Sequence, residues 1–116
     1  MANAGQSCIG AERVYVHQDI RSEFESELRR QVASIEEGKS YGPATMPSQL
    51  DVINSHILDA ASKGATFLVG STESVNQGYV RPTILLDVPE ISTAMTEETF
   101  GPTLAVNSVE NMDEAI

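Results

Sequence analysis

The sequence predicts an α/β domain built around a largely parallel sheet. Short segments rich in β-branched and aromatic residues alternate with longer segments whose apolar residues recur at helical spacing. Such alternation is typical of a sheet whose parallel strands are joined by helices. The chain has 116 residues, enough for one domain with a modest core, and no composition shift divides it. We therefore treat residues 1–116 as a single unit.

The first half of the chain contains one predicted strand and two predicted helices. Arg13–His17 has the composition of a strand, and Asp19 or Ser22 could cap the helix that follows. The apolar stripe of this first helix comprises Ile20, Phe24, Leu28, Val32 and Ile35. The second helix is predicted to begin at Pro47, which suits the first helical position, and to stop at Gly64. Its stripe comprises Leu50, Ile53, Ile57, Leu58 and Ala61.

The second half of the chain contains three further predicted strands, at residues 66–69, 79–86 and 103–108. The segment between the first two is polar and rich in glycine, so we expect a turn there. Pro82 has no N–H to donate and marks an edge or a bulge in its strand. Residues 111–116 begin a helix that the chain does not finish.

Charge and composition exclude several classes of function. Seven basic residues against seventeen acidic ones give a net charge of −10, which argues against a nucleic-acid or anionic-membrane surface. No apolar run is long enough to span a membrane, and no signal peptide is visible, so we expect a cytoplasmic location. Neither histidine has metal-ligand spacing, and His56 is expected at a helix surface or boundary, so we predict no metal site. The glycines do not form a G-x-G-x-x-G phosphate loop.

The single cysteine, Cys8, is the first candidate for chemistry. Gly5 permits a tight backbone approach before it, and the small residues after it allow a helix to begin there. A thiol at a helix N-terminus is favoured as the thiolate, which is the nucleophilic form. On residue type alone, the alternative of a buried cysteine that serves as a small apolar residue is favoured.

Several short motifs follow one another along almost the whole chain. They are N-x-G-Q-x-C at residues 3–8 with Arg13 beyond it, G-P at 42–43, G-A at 64–65, G-Y-x-x-P-T at 78–83 and E-x-F-G-P at 98–102. With these motifs in register, the chain resembles the aldehyde dehydrogenase superfamily. The resemblance implies a Rossmann-like three-layer catalytic domain, of which residues 1–116 would be a truncated part.

The resemblance also implies a reaction, namely oxidation of an aldehyde to a carboxylic acid with NAD or NADP. Cys8 matches the nucleophile, which forms a thiohemiacetal and then a thioester that water or coenzyme A releases. Glu98 matches the glutamate that hydrogen-bonds the ribose hydroxyls of the nicotinamide half of the cofactor, and Phe100 matches the aromatic residue beside that ribose. Without the resemblance, these two would be a surface carboxylate and a core aromatic.

Other parts of the family's machinery have no counterpart in the sequence. They are the cofactor-binding domain, the glutamate general base, the asparagine of the oxyanion hole and the cofactor-binding lysine. We therefore expect a piece of a longer enzyme that is inactive by itself. Truncation would uncover the stripe of the second helix and the strand at 103–106, which predicts a homo-oligomer. The alternative is a self-standing, non-enzymatic binding or assembly module on the same scaffold.

Overall fold

The computed structural model describes residues 1–116, which form a four-stranded sheet and a small two-stranded sheet with helices packed around them. In chain order the strands are β1 (Arg13–His17), β2 (Thr66–Val69), β3 (Val75–Asn76), β4 (Tyr79–Val80), β5 (Thr83–Leu86) and β6 (Thr103–Val109). The α-helices are α1 (Arg21–Val32), α2 (Pro47–Ser62), α3 (Thr93–Thr96) and α4 (Met112–Ala115). Two short 3-10 helices occupy Ala2–Gly5 and Gln18–Ile20.

The four-stranded sheet has the order β1-β6-β5-β2. Strand β6 pairs in parallel with β1 and with β5, whereas β5 and β2 pair antiparallel. The prediction of an α/β domain with a largely parallel sheet is thus confirmed. The expectation that residues 103–106 form an uncovered strand is wrong, because β6 has a hydrogen-bonded neighbour on each side. The edges of the sheet are β1 and β2.

The apolar side chains of the sheet alternate between its two faces, as the period of a strand requires. One face packs against α1, and its buried members are Val16, Leu68, Ile84, Leu86 and Val106. The other face packs against α2 and α3, where Leu85 and Ala105 meet Ala60, Ala94 and Met95. The sheet therefore lies between two helical layers, which confirms the three-layer architecture.

Residues 79–86 do not form the single strand that the sequence predicted. Pro82 lacks an N–H and interrupts the ladder, so the segment divides into β4 and β5. Strand β4 forms a hairpin with β3, and both turn residues, Gln77 at φ 48° and Gly78 at φ 87°, have the positive φ of a type I′ turn. Beyond the break, β5 lies between β6 and β2, and all four of its residues are buried.

Helix α1 buries most of its predicted stripe. Phe24, Leu28, Val32 and Ile35 pack against the sheet, but Ile20 remains exposed because it ends the preceding 3-10 turn. Neither of the predicted caps is used. Instead, the Nδ1 atom of His17 accepts a hydrogen bond from the backbone N–H of Asp19 at 3.2 Å.

Helix α2 begins at Pro47 and stops at Gly64, as the sequence predicted. Gly64, at φ +104°, donates its N–H to Ala61, and Ala65 donates to Ala60, which together make a Schellman motif. None of the helices in the structure combines the length and the hydropathy that a membrane crossing requires.

The buried face of α2 is rotated relative to the predicted stripe. Ile53 and Ile57 are each only 1% exposed, so the expectation that truncation uncovers the whole stripe is wrong, whereas Leu58 is 44% exposed. His56 and Ala60 take its place in the interior. The prediction that His56 lies at the helix surface or boundary is therefore wrong.

Candidate active site

The segment before Cys8 is a compact, self-bonded turn. Asn3, Ala4 and Gly5 all have positive φ, at 53°, 56° and 73°. The side chain of Asn3 donates to the backbone oxygen of Gln6, and that of Gln6 donates back to the oxygen of Asn3, each at 3.1 Å. The Oε1 atom of Gln6 also accepts from the N–H of Thr45 at 2.8 Å, which ties the turn to the loop before α2.

Cys8 lies at the surface, in a tight turn where the N–H of Gly10 donates to the oxygen of Ser7 at 3.0 Å. No helix begins after it, so the prediction of a thiol at a helix N-terminus is wrong. The physical reason is the nearby sheet. The N–H of Ala105 donates to the backbone oxygen of Glu12 at 2.9 Å, so the chain is already extended beside β6. The alternative of a buried cysteine is wrong as well.

Close packing joins the cysteine motif to the motif at residues 98–102. A Cβ atom placed on Gly5 would lie 1.9 Å from the backbone oxygen of Gly101 and 2.9 Å from the nitrogen of Pro102. Only a glycine permits this approach of two backbones, and its φ of +73° independently favours glycine. The two motifs, from opposite ends of the chain, are therefore one structural unit.

The carboxylate of Glu12 makes a second connection between these motifs. Its Oε2 atom accepts from the backbone N–H of Thr99 at 3.0 Å, and its Oε1 atom accepts from the N–H of Phe100 at 2.5 Å. Phe100 has φ +54°, a left-handed conformation that is uncommon for residues other than glycine. Glu12 thus accepts a hydrogen bond from the turn at Phe100, the residue whose backbone is strained.

Thr99 is also held from the side of α2. It is only 3% exposed, and its backbone oxygen accepts from the Nε2 atom of Gln49 at 2.6 Å. The Nδ1 atom of His56, itself 4% exposed, lies 2.9 Å from the Thr99 hydroxyl. The other ring nitrogen of His56 lies 3.6 Å from the carboxylate of Glu97. The sequence predicts no role at the site for Glu12, Gln49 or His56, because their partners lie on distant segments.

Helix α3, which leads into residues 97–102, is anchored to α2 by Asp59. The carboxylate of Asp59 accepts from the N–H of Thr93 at 2.9 Å and pairs with Lys63 at 2.7 Å. The hydrogen bond from Lys63, followed by that from Thr93, lowers the pKa of Asp59 below its ordinary value. The guanidinium of Arg13 donates to the backbone oxygen of Met95 and joins α3 to β1.

Cys8 and Glu98 line the same open cleft, which has a volume of about 380 Å³. The other residues that line it are Ser7, Gly10, Glu12, Arg13, Thr96 and Glu97. Three glutamates and one arginine are thus among the residues that line it. Glu98 is exposed, whereas Phe100 is half-buried and does not line the cleft. No group of three or more His, Cys, Asp or Glu side chains is arranged to hold a metal ion.

The chain is similar to known proteins along its whole length. Residues 1–116 match the model described as the aldehyde dehydrogenase family. A Mycobacterium ulcerans protein provisionally named succinate-semialdehyde dehydrogenase (NADP(+)) 2 is 34% identical over 123 residues, which cover 99% of this chain and 24% of that protein. The mitochondrial aldehyde dehydrogenase of Leishmania tarentolae is 34% identical over 121 residues, with 98% of this chain and 24% of that protein covered.

Solved structures give the same result. The crystal structure of lactaldehyde dehydrogenase from Escherichia coli superimposes with a TM-score of 0.89 at 33% identity, covering 97% of this chain and 25% of that one. The chain therefore spans about a quarter of the length of the relatives that it matches.

Proposed function

The chain belongs to the aldehyde dehydrogenase family, and from that premise we propose that it carries the nucleophile of an NAD(P)-dependent aldehyde dehydrogenase. The activity is oxidation of an aldehyde to a carboxylic acid. The observation that carries the proposal is the cleft, in which Cys8 and Glu98, from opposite ends of the chain, meet because Gly5 packs on the backbone of Gly101 and Pro102.

Cys8 would act through its thiolate, the nucleophilic form of the thiol. A bond forms between its Sγ and the aldehyde carbon, and the carbonyl oxygen takes the electron pair of the broken π bond. The backbone N–H of Cys8 donates no hydrogen bond within the chain, so it is free to donate to this oxygen. The product is a thiohemiacetal on Cys8, which splits one difficult oxidation into easier steps.

The side chains present fit the ribose end of a nicotinamide cofactor. Glu98 offers an exposed carboxylate in the same cleft as the thiol, and a carboxylate accepts hydrogen bonds from hydroxyl groups. Phe100, two residues after Glu98, has its backbone N–H fixed by Glu12, but it does not line the cleft. When bound, NAD or NADP supplies the acceptor for the hydride that turns the thiohemiacetal into a thioester. Water or coenzyme A then breaks the C–S bond and restores the Cys8 thiol.

A chimera tests this proposal directly. Residues 1–116 would replace the matching quarter of E. coli lactaldehyde dehydrogenase, whose structure superimposes on them with a TM-score of 0.89. We expect the chimera to form NADH or NADPH from an aldehyde panel, and Cys8→Ala to abolish this turnover. Ser7→Ala, one residue away, is the matched control and should keep it. A chimera that folds like the natural enzyme but is inactive, or keeps turning over with Cys8→Ala, would refute the proposal and favour a non-enzymatic module.

The cofactor contact has its own paired test in the same chimera. Glu98→Gln weakens the acceptor for the ribose hydroxyls, so the KM for the cofactor should rise by about tenfold, the value of one charge-assisted hydrogen bond. Glu97→Gln changes the neighbouring exposed carboxylate and should leave that KM within about twofold. Equal effects of the two substitutions on this KM would show that Glu98 does not bind the cofactor.

We also propose that the chain assembles as a homo-oligomer. Strand β1 has no neighbour on its outer side, and an open strand edge favours pairing with another chain. The net charge of −10 opposes non-specific aggregation, so a defined assembly is favoured. Light scattering over a concentration series should give a mass above 12.5 kDa, and a constant mass at that value would contradict the proposal.

A further inference from the structure

We propose that Glu12 is a positioning residue that holds the turn carrying Glu98 and Phe100 in register with the loop carrying Cys8. The inference rests on the proposed function, because it concerns the geometry of the same site. It assigns this role to a residue of the cysteine segment whose carboxylate bonds the backbone of the other motif.

The two hydrogen bonds of Glu12 support this role by their geometry. One carboxylate accepts from two consecutive backbone N–H groups, those of Thr99 and Phe100, at 3.0 and 2.5 Å. Hydrogen bonds to an ionised acceptor are stronger than neutral ones. The Thr99 N–H belongs to the peptide between Glu98 and Thr99, and the Phe100 N–H belongs to the peptide between Thr99 and Phe100, so the two bonds fix two consecutive peptide units. Because the first of these peptides begins at Glu98, its orientation sets where the Glu98 side chain leaves the backbone.

The carboxylate is itself held by the sheet. Glu12 lies one residue before β1, and its backbone oxygen accepts from the N–H of Ala105 in β6 at 2.9 Å. Its backbone therefore cannot shift without disturbing a parallel pair of strands. On its other side, the chain turns within four residues to Cys8, and both residues line the same cleft. Glu12 is thus the side chain through which the rigid sheet sets the spacing of Cys8 and Glu98.

The conformation of Phe100 explains why such a clamp is needed. At φ +54° its backbone is in a region that side chains with a Cβ atom rarely occupy, so the surroundings must hold it there. Gln49 bonds only the backbone oxygen of Thr99, and His56 contacts only its hydroxyl. The N–H of Phe100 is bonded by Glu12 alone.

Hydrogen exchange of individual backbone amides in the 116-residue chain tests the clamp without any assay of activity. Each amide bonds a different oxygen of Glu12, and Glu12→Gln replaces one of these oxygens with an NH₂ donor, so a glutamine in the same position would turn a donor toward one of the two amides. We expect exchange of the Thr99 or Phe100 amide, or of both, to become at least about tenfold faster, with the amides of β5 unchanged. Glu73→Gln, at an exposed loop position, is the matched control and should change neither.

Two results would overturn the proposal. Unchanged exchange at Thr99 and Phe100 in Glu12→Gln would show that the carboxylate does not hold the turn. A uniform rise at every amide would show a contribution to global stability instead of local positioning. Should Glu12→Gln fail to fold, Glu12→Asp keeps both oxygens on a stem one methylene shorter, and the same local increase is expected from it.

Kinetics in the chimera separate positioning from a purely structural role. Glu12→Gln should raise the KM for NAD or NADP by about tenfold, since it displaces Glu98, while iodoacetamide alkylates Cys8 at a rate within about twofold of the unsubstituted chimera. An unchanged KM in an active chimera would also overturn the proposal. An inactive unsubstituted chimera would refute the proposed function alone, and the exchange experiment would still decide the role of Glu12.

Discussion

Replacing Gly5 with alanine is the sharpest test of how the two halves of the site are joined. The new methyl group would lie 1.9 Å from the oxygen and 2.3 Å from the carbonyl carbon of Gly101. These are backbone atoms, which cannot rotate away as the end of a flexible side chain can. The turn bearing Cys8 must therefore separate from the turn bearing Glu98.

The cost of Gly5→Ala has two physical parts. A φ of +73° is strained for any residue with a Cβ atom, by about 1–2 kcal/mol. Forcing a methyl group into a filled site costs about 1–3 kcal/mol more. Together they should lower the free energy of unfolding by about 2–5 kcal/mol, a large fraction of the roughly 5–15 kcal/mol by which native domains are stable.

Alanine substitutions at two other glycines distinguish the backbone strain from the steric clash. Gly64 has φ +104°, and no atom lies within 4 Å of the place that a Cβ would occupy, so Gly64→Ala should show the strain alone, about 1–2 kcal/mol. Gly42 has neither a positive φ nor a neighbour within 4 Å, so Gly42→Ala should be neutral or slightly stabilising. Urea unfolding followed by far-ultraviolet circular dichroism measures all three. If Gly5→Ala costs no more than Gly64→Ala, the two backbones are not in contact at Gly5.

Four further predictions concern activity, thiol exposure, a buried histidine and an ion pair. The isolated chain should form no NADH or NADPH from aldehydes above background, and turnover that depends on Cys8 would contradict this. Iodoacetamide should alkylate Cys8 equally fast in the native and the denatured chain, because the thiol is exposed; a native rate more than about tenfold slower would contradict this. His56→Ala should lower the free energy of unfolding by about 2–4 kcal/mol, since it removes a buried ring and its hydrogen bond, whereas His17→Ala, at an exposed position, should cost no more than about 1 kcal/mol. The hydrogen bonds from Arg21 hold the pKa of Asp87 below its ordinary value of 3.8. The stability from this pair is therefore fully present above pH 3.8 and is lost as the pH falls through the lowered pKa. Arg21→Gln should reduce this loss of stability at acid pH, as measured by urea unfolding at a series of pH values.

Local patterns in the sequence determined most of the elements. β1 and β2 have the bounds that composition predicted, and α2 begins at Pro47 and stops at Gly64 as the capping rules require. These features depend on residues that are close in sequence, so a short window contains the physical cause. The family resemblance likewise depended on the spacing of short motifs, and the match over residues 1–116 confirms it.

Errors arose where a distant segment decides the local structure. The helix expected after Cys8 does not form, because β6 pairs with the chain from Glu12 onward. His56 is buried because Thr99, far along the chain, offers its hydroxyl to the ring. Neither partner is visible in the residues around the feature itself.

The sequence by itself determined the α/β class, the bounds of β1, β2 and α2 and, through the family motifs, which three residues are candidates, namely Cys8, Glu98 and Phe100. Only the tertiary structure decided that Cys8 and Glu98 share a cleft and that Phe100 lies outside it, with its backbone N–H bonded to Glu12. The physical reason is the distance in sequence over which each interaction acts. Helix and strand propensities act over a few residues, whereas a site made of two motifs depends on backbone packing and hydrogen bonds that form only when the sheet brings the ends of the chain together.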